Sequence, residues 1–124
     1  MSGKDLTKRF AHNGGFCSLA YAPGVKDRIL VTCGNDDLVK LHNLEVGPDE
    51  DGGINEIDHF EDSVFAVAVS PDGERIAAGG AGNTAVLFKM EDGGADYERN
   101  ATMSTLPIRD LCFSPDSVWL AVAS

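Results

Sequence analysis

The feature that most narrows the fold of this chain is a threefold recurrence: an apolar run closed by a proline turn, then a second apolar run. The first copy reads Phe16-Cys17-Ser18-Leu19-Ala20-Tyr21-Ala22-Pro23, followed by Ile29-Leu30-Val31-Thr32-Cys33-Gly34. The second reads Val64-Phe65-Ala66-Val67-Ala68-Val69-Ser70-Pro71-Asp72-Gly73, then Ile76-Ala77-Ala78-Gly79-Gly80. The third is Ile108-Arg109-Asp110-Leu111-Cys112-Phe113-Ser114-Pro115-Asp116, then Leu120-Ala121-Val122-Ala123-Ser124. Pro23, Pro71 and Pro115 stand 48 and 44 residues apart, a period suited to one four-stranded β-unit per repeat. Period-two alternation predicts strands with one buried face. Pro-Asp-Gly predicts a hairpin at Asp72 and Gly73, because proline presets φ and glycine accepts positive φ.

A third strand is expected at Val39-Lys40-Leu41-His42 and at Ala85-Val86-Leu87-Phe88, entered through the turns Asn35-Asp36-Asp37 and Gly82-Asn83. A fainter outer strand is expected at 54–59 and at 97–103, and no 3.6-residue helical pattern persists. Glu45 to Gly53 and Glu91 to Asp96, rich in Asp, Glu and Gly, read as solvated hairpin tips.

The formal charge is −10, from 20 acidic and 10 basic residues, which disfavours direct attraction to DNA or to an anionic membrane and favours a basic protein surface or a bridged protein partner. Cys17, Cys33 and Cys112 form no Cys-x-x-Cys pair and lie in apolar runs, so they read as reduced, structural thiols of a nuclear or cytosolic protein. No apolar stretch approaches membrane-spanning length, and no signal peptide is visible, so a soluble protein is expected.

The frame His12, Leu19-Ala20-Tyr21-Ala22-Pro23, Gly34-Asn35-Asp36 and Val39-Lys40-Leu41-His42-Asn43 resembles one WD repeat. The Trp-Asp pair usual in that family is replaced by His42-Asn43 and Phe88-Lys89. The blade-start His is matched by His12, while His59 lies one residue off and Ser104 takes the slot in the third repeat. The expected fold class is therefore all-β, a WD-repeat β-propeller that is incomplete, with two blades and the inner half of a third. The blades are placed at about 12–59, 60–103 and 104–124. Open edges of such a piece predict poor solubility or protease sensitivity when it stands alone.

Within WD repeats the chain resembles the N-terminal propeller of the acidic nucleoplasmic DNA-binding protein family, also called chromosome transmission fidelity or WD-repeat and HMG-box proteins. The residues that carry this are Ala11-His12 with Phe16-Cys17-Ser18, Leu30-Val31-Thr32-Cys33-Gly34, and Thr105-Leu106-Pro107-Ile108-Arg109 running into Leu111-Cys112-Phe113. The resemblance implies a nuclear replication-fork adaptor that ties the replicative helicase to polymerase alpha and primase. The alternative is a WD-repeat scaffold of another complex, a ubiquitin ligase or an RNA-processing assembly, in nucleus or cytoplasm.

Enzyme chemistry finds little support. His12, His42 and His59 are the only candidates for a general base, and they fall at blade starts or in a strand slot, where structural roles are expected. Asp36 and Asp37 lack calcium-loop spacing, and Gly79-Gly80-Ala81-Gly82 lacks the Lys-Ser or Lys-Thr of a phosphate loop. No catalytic residue, metal, cofactor or small-molecule substrate is therefore expected. Lys4, Lys8 and Arg9 read as a solvated terminus, and Trp119 as core or blade-face packing. His12 and Asp36 are assigned to a buried hydrogen bond that locks the first blade, with neighbouring Asp37 facing water. Asn35, Glu61, Asp62 and Arg109 are assigned to interaction-face loops.

Overall fold

The computed structural model describes residues 16–22, 29–44, 54–91, 94–103 and 106–124, and the regular structure among them is all strand. One four-stranded antiparallel sheet runs in order β1 (Phe16–Ala22), β2 (Ile29–Gly34), β3 (Val39–Asn43), β4 (Ile54–Ile57). A second repeats that order with β5 (Val64–Val69), β6 (Arg75–Gly80), β7 (Thr84–Glu91) and β8 (Gly94–Met103). A hairpin of β9 (Asp110–Phe113) and β10 (Leu120–Ala123) takes the place of the first two strands of a third. This is the all-β blade architecture that the repeat predicts.

The sheets stack face to face, and that corrects the expectation of one buried face per strand. All six residues of β2 are buried, as are five of the six in β6. Ile76, Ala78, Val86 and Phe88 turn toward the first sheet, where they meet Val31, Leu41 and Ile57. Ala66, Ala68, Ala77, Ala85 and Leu87 turn the other way and receive Ile108 and Leu111 of the hairpin. A sheet covered on both sides reads as a near-continuous apolar run, and small side chains on one face let the next sheet approach. At Gly79 the approach is closest, since a Cβ there would lie 3.1 Å from the Ile108 side chain.

Both innermost strands carry a bulge at the same repeat position, between Phe16 and Ser18 in β1 and between Val64 and Ala66 in β5. The extra residue bends each strand and increases its local twist. The strand β8 is longer than expected, because two further register shifts, opposite Ala85/Val86 and Leu87/Phe88, let it follow the twist of β7. It reaches back to Gly94, so part of the stretch expected as a loop is strand; 45–53 lies outside the described residues.

The two Ser-Pro-Asp turns are built alike. The Ser70 hydroxyl donates to Asp72 Oδ1 (2.5 Å) and accepts from Arg75 N–H (3.0 Å), while Asp72 Oδ1 accepts from Glu74 N–H (3.0 Å). In the third repeat Ser114, Asp116, Val118 and Trp119 reproduce all three bonds. Gly73, at φ 75°, and Ser117, at φ 63°, occupy the same slot, which glycine fills without strain and serine does not. Ser117 has an offsetting bond, its Oγ accepting from Asp72 N–H (3.1 Å) across the two turns. Ser117→Gly is therefore expected to be more stable than Ser117→Ala by about 1 kcal/mol in urea unfolding, since both lose the bond and only alanine keeps the strain. Equal midpoints would refute the strain.

Candidate interaction surface

Strand pairing alone brings four connections to one end of the stack. Val39 pairs with Ile57, so β4 leaves its sheet beside the β2–β3 turn. Val64 pairs with Gly80, so β5 begins beside the β6–β7 turn, and Ala81 N–H donates to Ser63 O (3.0 Å). Thr84 pairs with Met103, and Ile108 N–H donates to Gly80 O (2.9 Å), which returns the next connection to the same end. This end holds all four residues assigned to interaction loops: Asn35, Glu61, Asp62 and Arg109, each exposed. Glu61 and Asp62 share one pocket of about 420 Å³ with His59 and Phe60. Asn35 belongs to the turn of the first sheet, and Arg109 leans the other way, its guanidinium 5.5 Å from the centre of the Phe65 ring.

The blade-locking pair is only half in view. His12 lies outside the described residues, and Asp36 is half-buried, accepting from Leu38 N–H (3.4 Å). Asp37, expected to face water, is half-buried with φ 67°, the left-handed slot that Asn83 fills in the next sheet at φ 66°. Glycine accepts that left-handed backbone without strain, so Asp37→Gly is the control that removes the carboxylate alone. For the His12–Asp36 bond that we propose, His12→Ala and Asp36→Ala are each expected to cost about 2 kcal/mol and their double mutant markedly less than the sum, with Asp37→Gly near neutral. Strict additivity in urea unfolding would rule the bond out.

A lock that sequence reasoning missed sits one layer deeper. Thr32 Oγ1 and His42 Nε2 lie 2.9 Å apart, with both residues almost fully buried. His42 was legible as the occupant of an aromatic slot; Thr32 was hidden inside an apolar run. The second sheet solves the same position without polar atoms. Ala78 stands where Thr32 does and Phe88 where His42 does, with Phe60 6.0 Å and His59 5.6 Å from the Phe88 ring. His59 also stacks on Tyr97 at 4.9 Å and 15°. A polar pair in one blade and an aromatic cluster in the next thus fill the same position of the sheet.

At the opposite end the Ser70 hydroxyl and the Glu74 N–H hold the Asp72 carboxyl below the usual carboxylate range, and Ser114 and the Val118 N–H do the same for Asp116. Arg75, bonded to Glu98 through two nitrogens (2.9 and 3.2 Å), lowers Glu98 likewise. A carboxyl whose folded pKa is depressed contributes stability that is present above its unfolded value and is lost as pH falls through the folded one. The unfolding midpoint is therefore expected to drop below about pH 4, less steeply in the Asp72→Asn, Asp116→Asn variant. An unchanged slope in that variant would exclude the two turns as the source.

Two expectations about side chains are corrected. Trp119 is 72% exposed and Cys112 is exposed, because the described residues place nothing over the outer face of the β9–β10 hairpin. Cys33 is fully buried, as a small core residue should be. Gly79 and Gly80 end β6 and Ala81 and Gly82 form its turn, so this glycine run serves close strand packing. Lys4, Lys8, Arg9 and Ser104 lie outside the described residues. Among the described residues no group of three or more His, Cys, Asp or Glu is placed to hold a metal ion.

Stacked four-stranded antiparallel sheets with shared loop ends define a propeller-type repeat. Residues 54–89 and 100–124 match the WD domain, G-beta repeat, so the chain carries WD repeats. The first matched stretch opens on β4 and closes in β7, so each repeat lends its first strand to the preceding sheet and ties the blades together. Over 124 residues the chain is 32% identical to Minichromosome loss protein 1 of Schizosaccharomyces pombe (strain 972 / ATCC 24843), an alignment that covers 100% of this chain and 14% of that protein.

Proposed function

We propose that this chain is a protein-binding, non-catalytic propeller segment of a nuclear replication-fork adaptor, acting through its loop end to help link the replicative helicase with polymerase alpha and primase. The observation that carries this reading is similarity along the whole chain to a protein named for minichromosome loss. WD repeats supply the mode of action, because a rigid stack of sheets presents exposed loops at one end. Net charge of −10 supports a basic protein partner over direct contact with DNA phosphates. The test is affinity purification of the full-length protein from replicating cells. Recovery of helicase or polymerase alpha subunits is the expected result; recovery of ubiquitin-ligase or RNA-processing subunits, with no replication factors, would refute it.

A further inference from the structure

The loop end of the second sheet carries a pocket whose chemistry is more specific than that of a generic binding face. His59 and Phe60 form an aromatic wall, Val86 supplies an apolar floor, and Glu61 and Asp62 stand exposed at the rim. Among the described residues neither carboxylate has an ion-pair partner. Gly82 stands where the first sheet has Asp36, and a Cβ built on it meets no heavy atom within 4 Å. The aromatic wall is held rigid from behind, by His59 stacked on Tyr97 and by edge contacts of both rings with Phe88, which is itself buried.

The Phe60 ring attracts a cation through its quadrupole, the apolar floor takes the methylene stem of a long side chain, and the rim carboxylates take its charged head. A cavity of about 420 Å³ has room for one such side chain with its flanking backbone. We propose that this pocket binds a lysine or arginine side chain of a basic peptide segment on a partner protein. The charge of −10 on the chain draws such a segment in, and the pocket fixes one of its side chains in place. This assignment rests on the pocket and on the charge of the chain, and holds whichever assembly the protein serves.

The test is fluorescence anisotropy of the full-length protein with a labelled lysine-rich peptide and with the same peptide acetylated on every lysine. The unmodified peptide is expected to bind at least about tenfold more tightly, the scale set by losing the cation at the ring and carboxylates. Gly82→Leu, which fills open space, and Glu61→Gln with Asp62→Asn, which removes the rim charge, are each expected to weaken binding by a similar factor while unfolding midpoints stay at the wild-type value. Equal affinity for the acetylated peptide would overturn the proposal, as would full binding by both variants. Displacement of the peptide by free spermidine as effectively as by unlabelled peptide would overturn the assignment to a peptide partner.

Discussion

Replacing Gly80 by alanine is expected to lower stability by about 3 kcal/mol or more, among the largest effects available to a single added methyl group. A Cβ at Gly80 would sit 2.2 Å from Ser63 O, 2.7 Å from Phe65 N and 2.8 Å from Val64 Cα, all backbone atoms of the bulged start of β5. No rotamer change relieves such a clash; either the bulge or the Ala81-to-Ser63 hydrogen bond must give way. Gly79→Ala should be intermediate, because its neighbour at 3.1 Å is the movable side chain of Ile108. Gly82→Ala should lie within about 0.5 kcal/mol of wild type. Urea midpoints of the three variants check the order, and a Gly80→Ala protein as stable as Gly82→Ala would show that β5 does not approach β6 as described.

Phe88→Ala is expected to cost about 4 kcal/mol, since it empties a fully buried ring site and removes the support of His59, Phe60 and Tyr97 together. The matching change in the first sheet, His42→Ala, leaves the buried Thr32 hydroxyl without this bond and should cost about 2 kcal/mol. The apolar solution can be moved across: His42→Phe with Thr32→Ala should be less damaging than His42→Phe alone, because the double change reproduces the Ala78–Phe88 pairing of the second sheet. Calorimetric unfolding of the four proteins decides it. A double mutant worse than the sum of its single changes would mean that the two blades are not built on one plan.

Those two solutions also mark what the sequence can and cannot reveal. The proline spacing and the alternation in β1, β5 and β9 identify the strands because a strand's period is local and turns such as Ser70-Pro71-Asp72-Gly73 are encoded in consecutive residues. Burial is not local. Trp119 and Cys112 look like core residues in isolation and are exposed, while Thr32 looks like a spacer and is buried against His42. Each outcome depends on which sheet lies across the face. The left-handed backbone at Asp37 and Ser117 was equally hidden, since neither residue is a glycine and only comparison with Asn83 and Gly73 gives the slot away. Of the loop end, Asn35, Glu61, Asp62 and Arg109 were legible as loop residues; the pocket that Gly82 and His59 line beside Glu61 and Asp62 was not.

The proposed protein-binding role of the loop end can be read in dividing cells as the rate of chromosome loss when the resident gene carries charge reversals. Glu61→Lys with Asp62→Lys at the loop end is compared with Glu74→Lys, an exposed change at the opposite end. With protein abundance unchanged, a raised loss rate is expected for the loop-end variant and a wild-type rate for Glu74→Lys. A wild-type rate for both, or the same increase for both, would contradict that role.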